Sequence, residues 1–392
     1  MNKSRIYMDY NATAPLLPVA RAAMSDALDL PGNPSSVHAE GRAARAVVNT
    51  ARRQVAALCG ADAAGVIFTS GATEAAATVL TPHFKMGKAD LAIGHLYVSA
   101  VEHPCVLNGG RFDADHVTKL EVDENGVVDL EGLRNHLTTH DQSIGLPMVA
   151  IQLANNETGV LQPVTEAAQI TKEHGGILVV DAVQAAGRLP IDMGDLGADF
   201  LLLSSHKMGG PKGVGAVICA GEVMMPLPLI PGGGQEKGHR SGTENPAAIA
   251  GFGAAAAFVS TDLAARSDGI RQMRDELEAG ILACAPDCII HGAESPRLVN
   301  TTFFSLPGLK AETAQIAFDL EGVAVSAGSA CSSGKVGPSH VLAAMGQDAD
   351  LGGIRVSIGA ESTQGEIRRF LEVFAKINEK REKNRQENGA LV

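Results

Sequence analysis

With 392 residues, 45% of them hydrophobic and 19% charged, the chain is long enough for one large domain and a smaller one, each with its own core. A formal net charge of -12 leaves no excess of Lys and Arg to neutralise phosphates, which counts against nucleic acid and anionic membranes as partners. No uninterrupted apolar run reaches about 20 residues, and the start MNKSRIYMDYNATAP lacks the apolar core and cleavage site of a signal peptide, so a cytoplasmic protein is expected.

From about Ser35 to Leu58, a polar-capped stretch rich in Ala, Arg and Val predicts a long helix. The run GVIFTSGATEAAATVL that follows predicts strand, tight turn and helix. Its Ser70-Gly71-Ala72-Thr73-Glu74 segment combines small residues with a hydroxyl at a helix start, where backbone N–H groups can meet a phosphate; the same pattern also serves as a plain helix cap. LYVSAVEH, PMVAIQLAN, GILVVDAVQ, DFLLLSSHK and GVGAVICAG then alternate with helical stretches, the pattern of a mainly parallel sheet covered by helices.

Beyond the Gly-rich PGGGQEKGHRSGTENPAA come a helix over AIAGFGAAAAFVS and a charged connecting helix over LAARSDGIRQMRDELEAGILA. Strands near NTTFFSL, GVAVSAG and GGIRVSIGA and a closing helix GEIRRFLEVFAKINEKREKNRQ complete a second, α+β region, with the last dozen residues expected to fray. The expected division is 16–260 for the large domain, with 1–15 and 261–392 forming the small one.

Lys207 emerges at the end of an apolar strand, after Ser204, Ser205 and His206 and before Gly209 and Gly210. A lysine there is costly unless something uses it, and covalent attachment of pyridoxal 5'-phosphate (PLP) would do so, although a lysine beside a loop is ordinarily just solvated. The strand ILVVD ends on Asp181, followed by Gln184. PLP acts as an electron sink while its pyridine nitrogen is protonated, and a strand-end carboxylate keeps that proton in place; the rival reading is a helix cap. His103, in VEHPC, can stack on a ring and exchange protons, or be structural. The six cysteines lack the paired spacing of a disulfide framework, and Cys284 and Cys288 have no second ligand pair, so no metal site is expected. Cys331 differs from the rest because it sits among Gly328, Ser329, Ser332, Ser333 and Gly334, unlike a core cysteine.

From end to end the chain resembles the cysteine desulfurases of the NifS/IscS type, within the class V aminotransferase-like, fold type I PLP enzymes. The runs that carry the resemblance are YMDYNATAP, GNPSSVH, FTSGATE, VEHP, ANNETGV, VDAVQAAGRLPID, SSHKMGGPKGVG, GGGQEKGHRSGTEN, SAGSACSSG, GPSHVL and IRVSIG. SAGSAC, with Ala327 where the family has a second serine, is the most specific.

The resemblance implies a large domain with a mainly parallel seven-stranded sheet, a smaller α+β domain and a homodimer. It implies PLP on Lys207, with Asp181 at the pyridine nitrogen, Gln184 and Asn156 on the phenolic side and His103 stacked on the ring. Ala72, Thr73, Ser204 and His206 would hold the phosphate, with Thr243 reaching it from the second subunit, while Arg355 and Asn33 would hold the carboxylate of L-cysteine. Cys331 would take the sulfur as a persulfide and pass it to a sulfur acceptor or iron-sulfur scaffold protein. A transaminase or selenocysteine lyase using the same cofactor, and a non-catalytic binding protein, are the alternatives. Where the family has a polar pair after Thr-Glu, this chain has Ala75, Ala76 and Ala77, and looser packing of the phosphate helix is expected.

Overall fold

The computed structural model describes residues 5–328 and 338–389. A two-residue strand, β1 (Ile6–Tyr7), comes first. One nine-stranded sheet follows, built from β2 (Val66–Thr69), β3 (His83–Met86), β4 (Ala89–Ser99), β5 (Val117–Leu120), β6 (Leu146–Gln152), β7 (Ile177–Asp181), β8 (Phe200–Ser204), β9 (Gly215–Cys219) and β10 (Met224–Pro226). Strands β5, β4, β6, β7 and β8 lie parallel in that spatial order; β9 reverses, and β2, antiparallel to β9, runs with the others. These seven form the mainly parallel body, and β3 and β10 extend it as an antiparallel ribbon on β4.

The central strands are apolar throughout because both faces are covered. Successive side chains alternate between two cores: Leu178 and Val180 of β7 and Leu201 and Leu203 of β8 join one, while Ile177, Val179, Phe200 and Leu202 join the other. Helix Pro246–Ser260 is apolar nearly all round and is buried accordingly. A Cβ on its Gly253 would lie 2.5 Å from Ala51 Cα of helix Ala39–Leu58, so only glycine allows that approach. Ala75 and Ala76 are fully buried at the start of helix Ala72–Val79, so the small side chains seat this helix closely, contrary to the loosening expected.

A separate core gathers Ile6 and Met8 with Leu277, Phe304, Phe318, Phe370 and Phe374; the Phe318 and Phe370 rings stack with centroids 4.9 Å apart. Its sheet runs β11 (Ile289–Ile290), β12 (Thr301–Ser305), then β15 (Ile354–Ser357) and β14 (Ser326–Ala327), while β1 pairs in parallel with β13 (Val323–Ala324).

Two boundaries differ from expectation. The early helix starts at Ala39, capped by His38, because Asn33 closes its own turn by accepting from Ser35 N at 2.8 Å. The closing helix runs from Gln364 to Gly389, so residues 381–389 are helical where fraying was expected, and Arg381 and Arg385 both pair with Asp287 at 2.7 Å; residues 390–392 lie outside the described residues. Among the described residues, no single helix is long and apolar enough to cross a membrane.

Candidate active site

Parallel strands bring their carboxyl ends to one edge of a sheet, and that edge is where open α/β folds bind ligands. Here β2, β4, β6, β7 and β8 deliver Ser70–Glu74, His103, Gln152, Asp181 and Ser204 to the rim of one cavity of about 560 Å³. Its lining also includes Ala12, Thr13, Cys105, Asn156, Gln184, His206, Lys207 and Lys212. Of the sequence-predicted cofactor residues, Ala72, Thr73, His103, Asn156, Asp181, Gln184, Ser204, His206 and Lys207 all line it.

Lys207 ends a single 3-10 turn directly after β8. Its Nζ donates to the carbonyls of Asn11 at 2.6 Å and Ala12 at 3.1 Å, so the ammonium is held by the backbone of the YNATAP run. Gln184 Nε2 donates to the same Asn11 carbonyl at 3.0 Å, and its Oε1 accepts from Arg188, which orients the amide. Asp181 is buried with a hydrogen bond from Val183 N at 2.9 Å. Burial pushes its carboxyl up to about 6, against the pull of that bond and of Lys207. A carboxyl so placed favours a cationic partner.

The mouth of the cavity is shaped for an anion. Helix Ala72–Val79 points its first turn into it, and Thr73, Ser204 and His206 add polar side chains. The turn before that helix presses on β9: a Cβ on Gly215 would lie 2.7 Å from Gly71 Cα and 2.5 Å from the Leu203 carbonyl oxygen. His206 Nδ1 lies 3.2 Å from Thr13 Oγ1. Burial, then the charges of Lys207 and Lys212, hold His206 down at about 4; burial, then Lys207, His340 and Arg355, hold His103 there too. Both imidazoles are therefore neutral near pH 7.

These features fit PLP. The cup meets its phosphate, Asp181 its basic ring nitrogen, and Lys207 its aldehyde; Asn156 Oδ1, buried and without a hydrogen-bond partner, is left over for a ligand in the cavity it lines.

Three predicted residues lie elsewhere. Arg355 is fully buried in β15 behind Asn156; its guanidinium donates to the Asn156 carbonyl and to Asp9 Oδ1, each at 2.9 Å. Asn33 is exposed in its turn, and Thr243 is exposed in the Gly-rich segment; neither lines the cavity of its own chain. Cys331 lies outside the described residues. Sequence reasoning missed Gln152, Lys212 and the Asn11 and Ala12 carbonyls. Gln152 sits beside Asp181 in the β6–β7 register, a neighbour relation invisible until the strands are ordered.

The family model for class-V aminotransferases matches residues 6–370. A cysteine desulfurase of a Nostoc species is 39% identical, over 96% of this chain and 94% of its own. An IscS-like cysteine desulfurase of Mycobacterium tuberculosis is 36% identical over 94% and 95%. Among solved structures, a NifS-like protein of Rickettsia africae superposes with a TM-score of 0.85 at 34% identity, covering 96% of this chain and 99% of that one. SspA, solved in complex with cysteine, superposes with a TM-score of 0.73 at 28% identity over 91% and 99%.

Proposed function

The chain belongs to the class-V aminotransferase family and to its cysteine desulfurases, and from that premise we propose the parts its residues play. The observation that carries the reading is the single cavity in which Lys207, Asp181, Gln184, His103 and the Ala72–Thr73 helix start converge. PLP bound there supplies an electron sink for the carbon skeleton of L-cysteine. Lys207 would hold the cofactor covalently, and its Nζ is the group that moves the substrate α-proton. Asp181 pairs with the pyridine nitrogen, a cationic contact that further offsets the cost of its burial. Gln184 and Asn156 orient the phenolic side, and Ala72, Thr73, Ser204 and His206 hold the phosphate.

Thr243 and the Gly-rich segment serve the pocket of a second subunit, which accounts for their absence from this one. Asn33 and Arg355 receive the substrate carboxylate, Arg355 by turning part of its fork from Asp9. Cys331 attacks as thiolate: a sulfur–sulfur bond forms, the substrate carbon–sulfur bond breaks, and its electron pair stays on carbon, which takes up a proton and leaves as alanine. The persulfide on Cys331 then passes its outer sulfur to an acceptor or iron-sulfur scaffold protein. We assign residues 16–260 to the cofactor-binding unit, 1–15 with 261–392 to the smaller one, and the reaction to the cytoplasm.

The test is product analysis with L-cysteine and a thiol reductant. Equal amounts of alanine and sulfide are expected, and none from Cys331→Ser that still binds PLP. Keto-acid-dependent turnover without sulfide, or full turnover by Cys331→Ser, would overturn the reading.

A further inference from the structure

His103 caps the short helix Pro104–Leu107, and the cap fixes its protonation. Its Nδ1 accepts the backbone N–H of Cys105 at 3.2 Å. A backbone amide can only donate, so Nδ1 carries a lone pair there and the ring proton of the neutral imidazole sits on Nε2. Cys105 Sγ lies 3.0 Å from the same Nδ1. Facing a lone pair, that sulfur must present its S–H. Burial, then the charges of Asp181 and Glu102, push the Cys105 thiol far above its ordinary range, so it keeps its proton and remains a donor.

We propose that Cys105 is a positioning residue for His103: its thiol adds a second donor at Nδ1 beside the backbone amide and holds the neutral imidazole in the Nε2–H tautomer. The proposal rests on the reading of the cavity as a PLP site, in which both residues face the cofactor. With Nδ1 occupied by two donors, His103 acts through Nε2, where its N–H can donate a hydrogen bond and there is no lone pair to take a proton. That narrows its role in the reaction to donor and ring support. Lys207 at the end of β8, His340 of helix His340–Ala344 and Arg355 of β15 all act against a charged His103, while Asp181 and Glu102 face the thiol. None of these groups supplies a hydrogen bond to Nδ1.

The test is a nitrogen-15 NMR titration of histidine-labelled protein before cofactor is added, with the His103 signals assigned by their loss in His103→Gln. The Nε2–H tautomer is expected in the native protein. Cys105→Ala removes one of the two donors to the neutral ring but leaves the backbone amide, so the Nε2–H tautomer should persist while the His103 titration rises by about one pH unit, and Cys105→Ser, which keeps a donor, should restore the native titration. An Nδ1–H tautomer in the native protein overturns the proposal, as does a Cys105→Ala titration equal to the native one, or a Cys105→Ser that behaves as Cys105→Ala. Because the signal is read before PLP is bound, failure here is distinct from failure of the sulfide assay.

Discussion

Lys207 and Lys212 both line the cavity, so proximity alone does not choose between them. The proposal of Lys207 rests on position: it ends the 3-10 turn after β8 and its Nζ donates to two carbonyls, on the same strand-end rim as Asp181. Borohydride reduction of the PLP-loaded protein followed by peptide mapping should mark Lys207, and a mark on Lys212 would contradict the assignment. Lys207 and Asp181 stood out in the sequence because Asp181 ends an apolar run and Lys207 follows one by three polar residues, where a charged residue calls for a use. Cys105 was not, since a thiol in VEHPC reads like any small buried side chain until the turn folds it back onto His103. Thr243 was named only through the resemblance, and it does not line the cavity of its own chain.

At the scale of elements, the buried strands were legible because their composition is unambiguous. Strands β3 and β10, HFKM and MMP, were missed: they form a ribbon partly open to solvent, with neither a clean alternation nor an apolar run. The end of the last helix was misjudged for a different reason. Its polar sequence looks solvated, yet the side chain of Arg381 is only 2% exposed and pairs with Asp287, far away in sequence. Those arginines hold the Asp287 carboxyl below its usual range. Arg381→Ala should therefore expose amides 381–389 to hydrogen exchange and cost about 1–3 kcal/mol of stability, discounted for the partial exposure of Asp287. Unchanged protection would show that the helix end is held by other contacts. The segment leading to Thr243 is tied down similarly, by the bidentate pair of Arg52 with Glu236 at 2.7 and 2.6 Å and by Arg240 with Glu74 at 2.8 Å.

For the whole molecule, the role proposed for the exposed Thr243 and the Gly-rich segment before it calls for a second copy of the chain. Sedimentation should give a homodimer, and a fully active monomer with bound PLP would contradict the shared site. Two cores, one around the large sheet and one around the Phe318, Phe370 and Phe374 cluster, frame the chemistry, with residues 11–13 of the N-terminal run reaching the pocket. In the proposed reaction, sulfur leaves cysteine and stays, for a time, on this chain. Mass spectrometry after incubation with L-cysteine and without reductant should therefore find one additional sulfur on the peptide containing Cys331, removed by a thiol reductant and absent in Cys331→Ser, whereas sulfide release with no added sulfur on that peptide, or the added sulfur on Cys105 or another cysteine, would rule the reaction out.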